Sequence, residues 1–100
     1  MVAASPNLTR LAGRVTRCCL SESFAGWLQV DLALDAVDPV PGLRSLVRAQ
    51  PGDVVPVAVA PGLLPADPVG SHLDCRVAVT PNGLRCEPHP APEHFAVRLN

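Results

Sequence analysis

Lysine, isoleucine and tyrosine are absent from this 100-residue sequence, and only 3% of its residues are aromatic. Charged residues are also scarce, at 17% against about 25% in ordinary domains. The eight arginines and nine acidic residues leave a net charge of −1. This balance argues against functions that need strong long-range attraction to nucleic acid or to an anionic membrane. The residue bias itself is typical of a high-GC genome.

Long hydrophobic runs are missing as well. No stretch approaches the roughly 18 apolar residues of a membrane span, and the first 20 residues lack the apolar core of a secretory signal. We therefore expect a cytoplasmic protein that has reduced thiols and no contact with a membrane. Apolar residues still make up 48% of the chain. Part of this content is expected at an exposed interface, unless proline and alanine in loops account for it.

Alternation of apolar and polar residues is the main structural signal. It is clearest over 26–37, where leucine and valine alternate with polar or small residues, and period two predicts a half-buried strand. Gly13 lies inside another alternating segment and predicts a bulge or a close backbone approach. Further strands are predicted over 11–19, 54–60, 71–80 and 94–99, together with a short strand that follows Gly83.

The segment Pro81-Asn82-Gly83 predicts a hairpin between two of these strands. A type I′ loop with Asn82 and Gly83 at its centre would place Val79 opposite Cys86. This register also keeps charged side chains of the returning strand off the apolar face.

The predicted elements indicate a mainly β fold. Leu43, Leu46 and Val47 have helical spacing and predict one short helix near 43–49. Five to six short strands and this helix suit one small antiparallel barrel over 1–100, with 1–7 as a flexible N-terminal lead. The nearest common architecture is the oligonucleotide/oligosaccharide-binding (OB) barrel. The match is partial because the OB fold usually has its helix after the third strand rather than the second.

Two histidine and cysteine pairs have the spacing of a zinc ribbon. His72-x2-Cys75 and Cys86-x2-His89 are joined by the predicted hairpin. The hairpin register opposes a shared metal, because Cys86 would lie four strand residues, or roughly 13 Å, from Cys75. The alternative is that both thiols are buried as small hydrophobic groups.

The predicted barrel also suggests nucleic-acid binding. Arg76, Arg85, His89 and Arg98 are expected on the outer face of the last strands. Single-strand binders combine such a positive groove with stacking aromatic rings. Here acidic neighbours dilute the charge, and the sequence offers few aromatic residues for stacking.

The aromatic residues Phe24 and Trp27 flank the loop before the clearest strand. Trp27 is placed off the core-facing positions of that strand, as an interface anchor would be. An equally good interpretation is that Trp27 folds over a barrel end as a lid on the core.

No coherent catalytic cluster and no cofactor motif is present, so the sequence does not favour an enzyme. The first hypothesis is a non-catalytic interaction or assembly module that binds another protein or a second copy of itself. The alternatives are an OB-type barrel that binds single-stranded nucleic acid and a small zinc-binding domain.

Overall fold

A computed structural model describes residues 6–99 of the chain. Six strands form one sheet, and a 3-10 turn at Pro92–His94 precedes the last of them. The strands are β1 (Thr9–Leu20), β2 (Leu28–Pro39), β3 (Val54–Val59), β4 (His72–Thr80), β5 (Gly83–Cys86) and β6 (Ala96–Arg98).

The sheet closes on itself into a five-stranded barrel. The strand order is β1-β2-β3-β5-β4, and β4 pairs again with β1. Every pairing is antiparallel except the short parallel contact between β3 and β5. The sixth strand, β6, is extra and pairs with the first residues of β4, beside β5. The predicted mainly β barrel is therefore confirmed.

The core consists of the alternate side chains that point into the barrel, as the period-two pattern predicts. Its buried members come from all five barrel strands: Leu11, Val15, Val30, Leu32, Leu34, Val57, Val59, Leu73, Cys75, Val77 and Cys86. Segments between strands add further contacts to this core. Val47 and Ala49 come from the segment after β2, while Leu63 and Leu64 come from the segment after β3.

Gly13 has the role predicted for it in β1. The pairing of β1 with β2 shifts register between Ala12 and Gly13, which is the signature of a bulge. A Cβ atom at Gly13 would lie only 2.2 Å from the carbonyl oxygen of Ala33. The two backbones can approach this closely because residue 13 has no side chain.

The helix predicted near 43–49 is wrong. The segment has no helical turn, and Arg44 instead forms a bridge with Asn7. The carbonyl of Arg44 accepts a hydrogen bond from Leu8, and the hydroxyls of Ser45 and Thr9 are 2.8 Å apart. These contacts hold the segment extended against β1, so tertiary pairing replaces the weak local preference of two helical turns.

The predicted type I′ turn is also wrong. Thr80 pairs with Gly83, so Pro81 and Asn82 are the central residues of the turn. Gly83 has φ of 119°, and the other described residues with positive φ are also glycines. Asn82 therefore does not have the positive φ that a type I′ turn requires. Proline at the second turn position and glycine at the fourth are favoured in ordinary type I turns. The register moves by two residues, which leaves the inward and outward faces as predicted.

Asn7, placed in the predicted flexible lead, is instead anchored to the barrel. Its side-chain amide donates to the carbonyl of Val79 and its oxygen accepts from the Val79 amide. Residues 1–5 of that lead lie outside the described residues. Within the described part of the chain, no helix is long and apolar enough to cross a membrane.

Candidate binding groove beside Trp27

The loop between β1 and β2 presents two aromatic rings. Backbone hydrogen bonds from Ser21 to Trp27 and from Trp27 to Phe24 close this loop, and the Ser21 hydroxyl accepts from the Phe24 amide. The rings of Phe24 and Trp27 lie 5.7 Å apart between centroids, with a tilt of 33°. Both side chains are half-buried, and neither is among the side chains in residues 6–99 that pack against the core. This placement does not support the lid interpretation of Trp27.

Strand pairing brings four outward residues into one row beneath these rings. Cys19 in β1 pairs with Gln29 in β2, which in turn pairs with Ala58 in β3. The parallel contact then pairs Ala58 with Arg85 in β5. The row exists only because the barrel joins β3 to β5, two strands that are distant in sequence.

A shallow groove lies over the middle of this row, at Gln29 and Ala58. Its cavity volume is about 50 Å³. This volume is below the range of roughly 300–1,000 Å³ of small-molecule pockets, so the groove suits a side chain or an extended segment. Phe24 forms part of the groove wall and Trp27 packs against it, so we call this site the Trp27 groove. The lining residues are Ser21, Ser23, Phe24, Gln29, Pro56, Ala58, Asn82, Gly83 and Leu84.

Arg85 borders the groove and stacks on Trp27. Its guanidinium carbon lies 5.9 Å from the centroid of the Trp27 ring, within the range of cation–π contacts. The Nε atom of Arg85 is buried and has no hydrogen-bond partner among the described residues. The residue as a whole is half-buried.

Arg85 differs in this respect from the other half-buried arginines of residues 6–99. Arg10 donates through two nitrogens to both carboxylate oxygens of Asp74. Arg76 likewise donates to both oxygens of Glu87, at 2.6 and 2.7 Å. In each pair the carboxylate hydrogen bond raises the pKa of the arginine above its ordinary value. Arg85 has no such carboxylate in the described part of the chain.

The other predicted nucleic-acid residues do not join Arg85 at the groove. Arg76 is occupied by Glu87. Arg98 lies 3.3 Å from the Nδ1 atom of His72. His89 is exposed beyond the end of β5. None of these three lines the groove.

The four predicted metal ligands, His72, Cys75, Cys86 and His89, do not come together in one group among the described residues. Cys86 pairs with Val77 rather than with Val79, so it is closer to Cys75 than predicted. Both thiols are buried, and a hydrogen bond with Cys75, together with burial, raises the pKa of Cys86 well above its usual value. The Nε2 atom of His72 instead lies 3.1 Å from a carboxylate oxygen of Asp35. Residues 6–99 contain no group of three or more candidate metal ligands.

The sequence predicted Phe24 and the bordering residues Trp27 and Arg85, but it did not predict the other residues that line the groove. Gln29 has the same parity as Trp27, which was a usable signal. Pro56 lies in β3 outside the short pairing of β3 with β5. Asn82 was read only as a turn residue.

Comparison with known proteins identifies no relative of this chain. No family model matches the chain, and neither the curated proteins nor the solved structures give a significant match. The geometry of the groove is therefore the basis for proposing a function.

Proposed function

We propose that this chain is a non-catalytic interaction module, built on an OB-type barrel, that binds a partner protein through the Trp27 groove. The observation that carries this proposal is the aromatic pair held outside the core. Phe24 and Trp27 are half-buried against each other, not packed into the barrel. Tryptophan in this setting is a frequent anchor of protein interfaces.

The OB-type identity rests on strand order. A five-stranded Greek-key barrel closed in the order 1-2-3-5-4-1 is the arrangement of that fold. The OB helix after the third strand has no counterpart in residues 60–71, where Leu63 and Leu64 pack against the core instead. OB barrels bind ligands on the face of strands 2 and 3, between the loops that join strands 1–2 and 4–5. The Trp27 groove occupies this position.

The chemistry of the groove favours a protein partner. Its floor contains the small or uncharged residues Gln29, Pro56 and Ala58. Serine, asparagine and glutamine around it can exchange hydrogen bonds with a peptide backbone. Aromatic anchors surrounded by small polar groups are common in interfaces, whose cores are depleted of charge.

Single-stranded nucleic acid is the second candidate, and one observation favours it. Arg85 and Trp27 stack at the OB ligand face, where bases and phosphates are bound in that fold. The charges around the groove favour nucleic acid less than they favour a protein partner. Asp31 faces outward next to Gln29 on β2 and pairs with Arg17 across the strands, while Arg76, which lies diagonally beside Arg85 on β4, is bound to Glu87.

The proposed function can be tested in cells of the natural source. Tagged wild-type protein, a Trp27→Ala variant and a Leu99→Ala variant are purified under native conditions, and bound proteins are quantified. Leu99 is the matched control because it is an apolar residue, 66% exposed, that lies outside the groove. We expect a defined protein to be lost with Trp27→Ala and retained with Leu99→Ala.

Nucleic acid is assessed with the same variants. Retention on single-stranded DNA is measured across a series of salt concentrations, since phosphate contacts give a steep salt dependence. Strong retention that Trp27→Ala abolishes, with no protein partner, would replace the proposed function with the second candidate. Equal recovery of the same proteins by both variants contradicts a role for the groove.

A further inference from the structure

We infer that the Trp27 groove recognises a carboxylate of the partner segment, and that Arg85 binds it. The inference rests on the proposed function and deepens it, because it specifies the chemistry of the partner. The carboxylate comes from an aspartate or glutamate side chain or from the end of a polypeptide chain.

Arg85 is the half-buried arginine of residues 6–99 that lacks a carboxylate partner among them. Within residues 6–99, the other two half-buried arginines, Arg10 and Arg76, each hold a carboxylate through two nitrogens. Arginine favours such bidentate pairing because its planar fork matches the two carboxylate oxygens. Arg85 is also half-buried. Among the described residues, however, no atom accepts a hydrogen bond from its Nε atom and no carboxylate pairs with its guanidinium.

Trp27 lies against the guanidinium of Arg85, which limits the side-chain freedom that binding would otherwise cost. The Nε atom is buried although the residue is only half-buried, so we place the ligand at the two terminal nitrogens. These nitrogens belong to the residue that follows Leu84 in the groove wall. When its carboxylate is bound there, the rest of the partner segment lies beside the groove.

The charges near the groove favour a single carboxylate over a phosphate chain. Asp31 projects from the same outer face as Gln29, and Arg17 pairs with it across the strands. Glu22, in the loop that carries the two aromatic rings, is exposed and forms no ion pair among the described residues. A nucleic-acid backbone along the groove would bring several phosphates close to the negative charges of Asp31 and Glu22. A single carboxylate bound at Arg85 would not need to extend past these charges.

The test uses hexapeptide pools that contain no tryptophan. Each pool fixes Asp, Glu, Asn or Gln at one position, and each is made with a free or an amidated C-terminus. The protein has one tryptophan, Trp27, so its emission reports binding next to Arg85. We expect acidic pools, or pools with free C-termini, to bind at least tenfold more tightly than amidated Asn and Gln pools. Tight binding of acidic pools with an amidated C-terminus would identify a side-chain carboxylate. Tight binding of neutral pools with a free C-terminus would identify a terminal carboxylate.

Three variants separate the possible results. Arg85→Gln should remove the tenfold preference, while Arg17→Gln, which changes the net charge equally, should retain it. Both must show wild-type thermal melts. Phe24→Ala should weaken binding of all pools. Binding that depends on Phe24 but not on Arg85 or a carboxylate overturns this inference and leaves the proposed function intact. If no pool binds wild-type protein, both are contradicted.

Discussion

The guanidinium of Arg85 lies over the ring of Trp27, with 5.9 Å between the guanidinium carbon and the ring centroid. This contact joins β5 to the loop between β1 and β2, two parts of the chain that are not paired as strands. Cation–π contacts contribute about 0.5–1 kcal/mol at exposed sites. The same contact holds the indole ring beside Arg85, at the edge of the groove.

Replacing Arg85 should affect stability less than replacing Arg76. Arg85→Met removes a buried, unpartnered Nε atom along with the cation–π contact, so we expect the free energy of unfolding to change by less than about 1 kcal/mol. Arg76→Met leaves the half-buried Glu87 without its partner and should cost about 1–3 kcal/mol. Urea unfolding of the two variants provides the comparison. An equal or larger loss for Arg85→Met would mean that Arg85 is mainly structural.

Gly13 should be intolerant of any side chain. Gly13→Ala places a methyl group against the backbone of Ala33 and should destabilise the fold by about 1–3 kcal/mol, as overpacking does. Gly26→Ala is the control, because it meets no atom within 4 Å but has φ of 82°. We expect a smaller loss there, of about 1 kcal/mol. Thermal melts that rank the two variants in the opposite order would contradict the close approach of β1 and β2.

The buried thiol of Cys86 should make stability depend on pH in the alkaline range. In the unfolded chain a cysteine loses its proton near pH 8.5, whereas burial and the contact with Cys75 raise the pKa of Cys86 in the folded protein. The native state therefore binds more protons above this pH, and the free energy of unfolding falls as pH rises.

Unfolding measured from pH 7 to pH 10 under reducing conditions checks this dependence. Cys86→Ala should reduce the slope above about pH 8.5, while the same change at the half-buried Cys19 serves as the control and should preserve it. A wild-type slope that survives Cys86→Ala would assign the effect to other groups.

The strands were predictable because their pattern is a local property. Alternation in β2 is set by which face of the strand meets the core, and Leu32 is fully buried as expected. The segment near 43–49 was misread because helical spacing over so few residues is weak evidence. Contacts of Arg44 and Ser45 with the start of β1 decide its conformation, and no local pattern encodes them.

The site was predictable only in part for the same reason. Parity alone placed Trp27 outside the core. The neighbourhood of Arg85 depends on the parallel pairing of β3 with β5, which forms only when the barrel closes. The exact hairpin register also escaped prediction, since Pro81 occupies a turn position that had been assigned to Asn82. Barrel closure is non-local and creates the groove, whereas the hairpin register is local and follows the positions of Pro81 and Gly83 in the turn.

The most direct test of the central claim measures the affinity for the partner and the stability of the isolated domain in the same Trp27→Ala protein. Loss of an anchoring tryptophan typically costs 2 kcal/mol or more of binding, or roughly thirtyfold in affinity. Leu32→Ala, which removes a buried core side chain, shows the effect of true destabilisation, at about 2–5 kcal/mol. We predict that Trp27→Ala weakens binding at least thirtyfold and lowers the melting temperature much less than Leu32→Ala does, because it loses only the contacts with Phe24 and Arg85. Unchanged affinity together with a melting temperature lowered as far as that of Leu32→Ala would contradict the account.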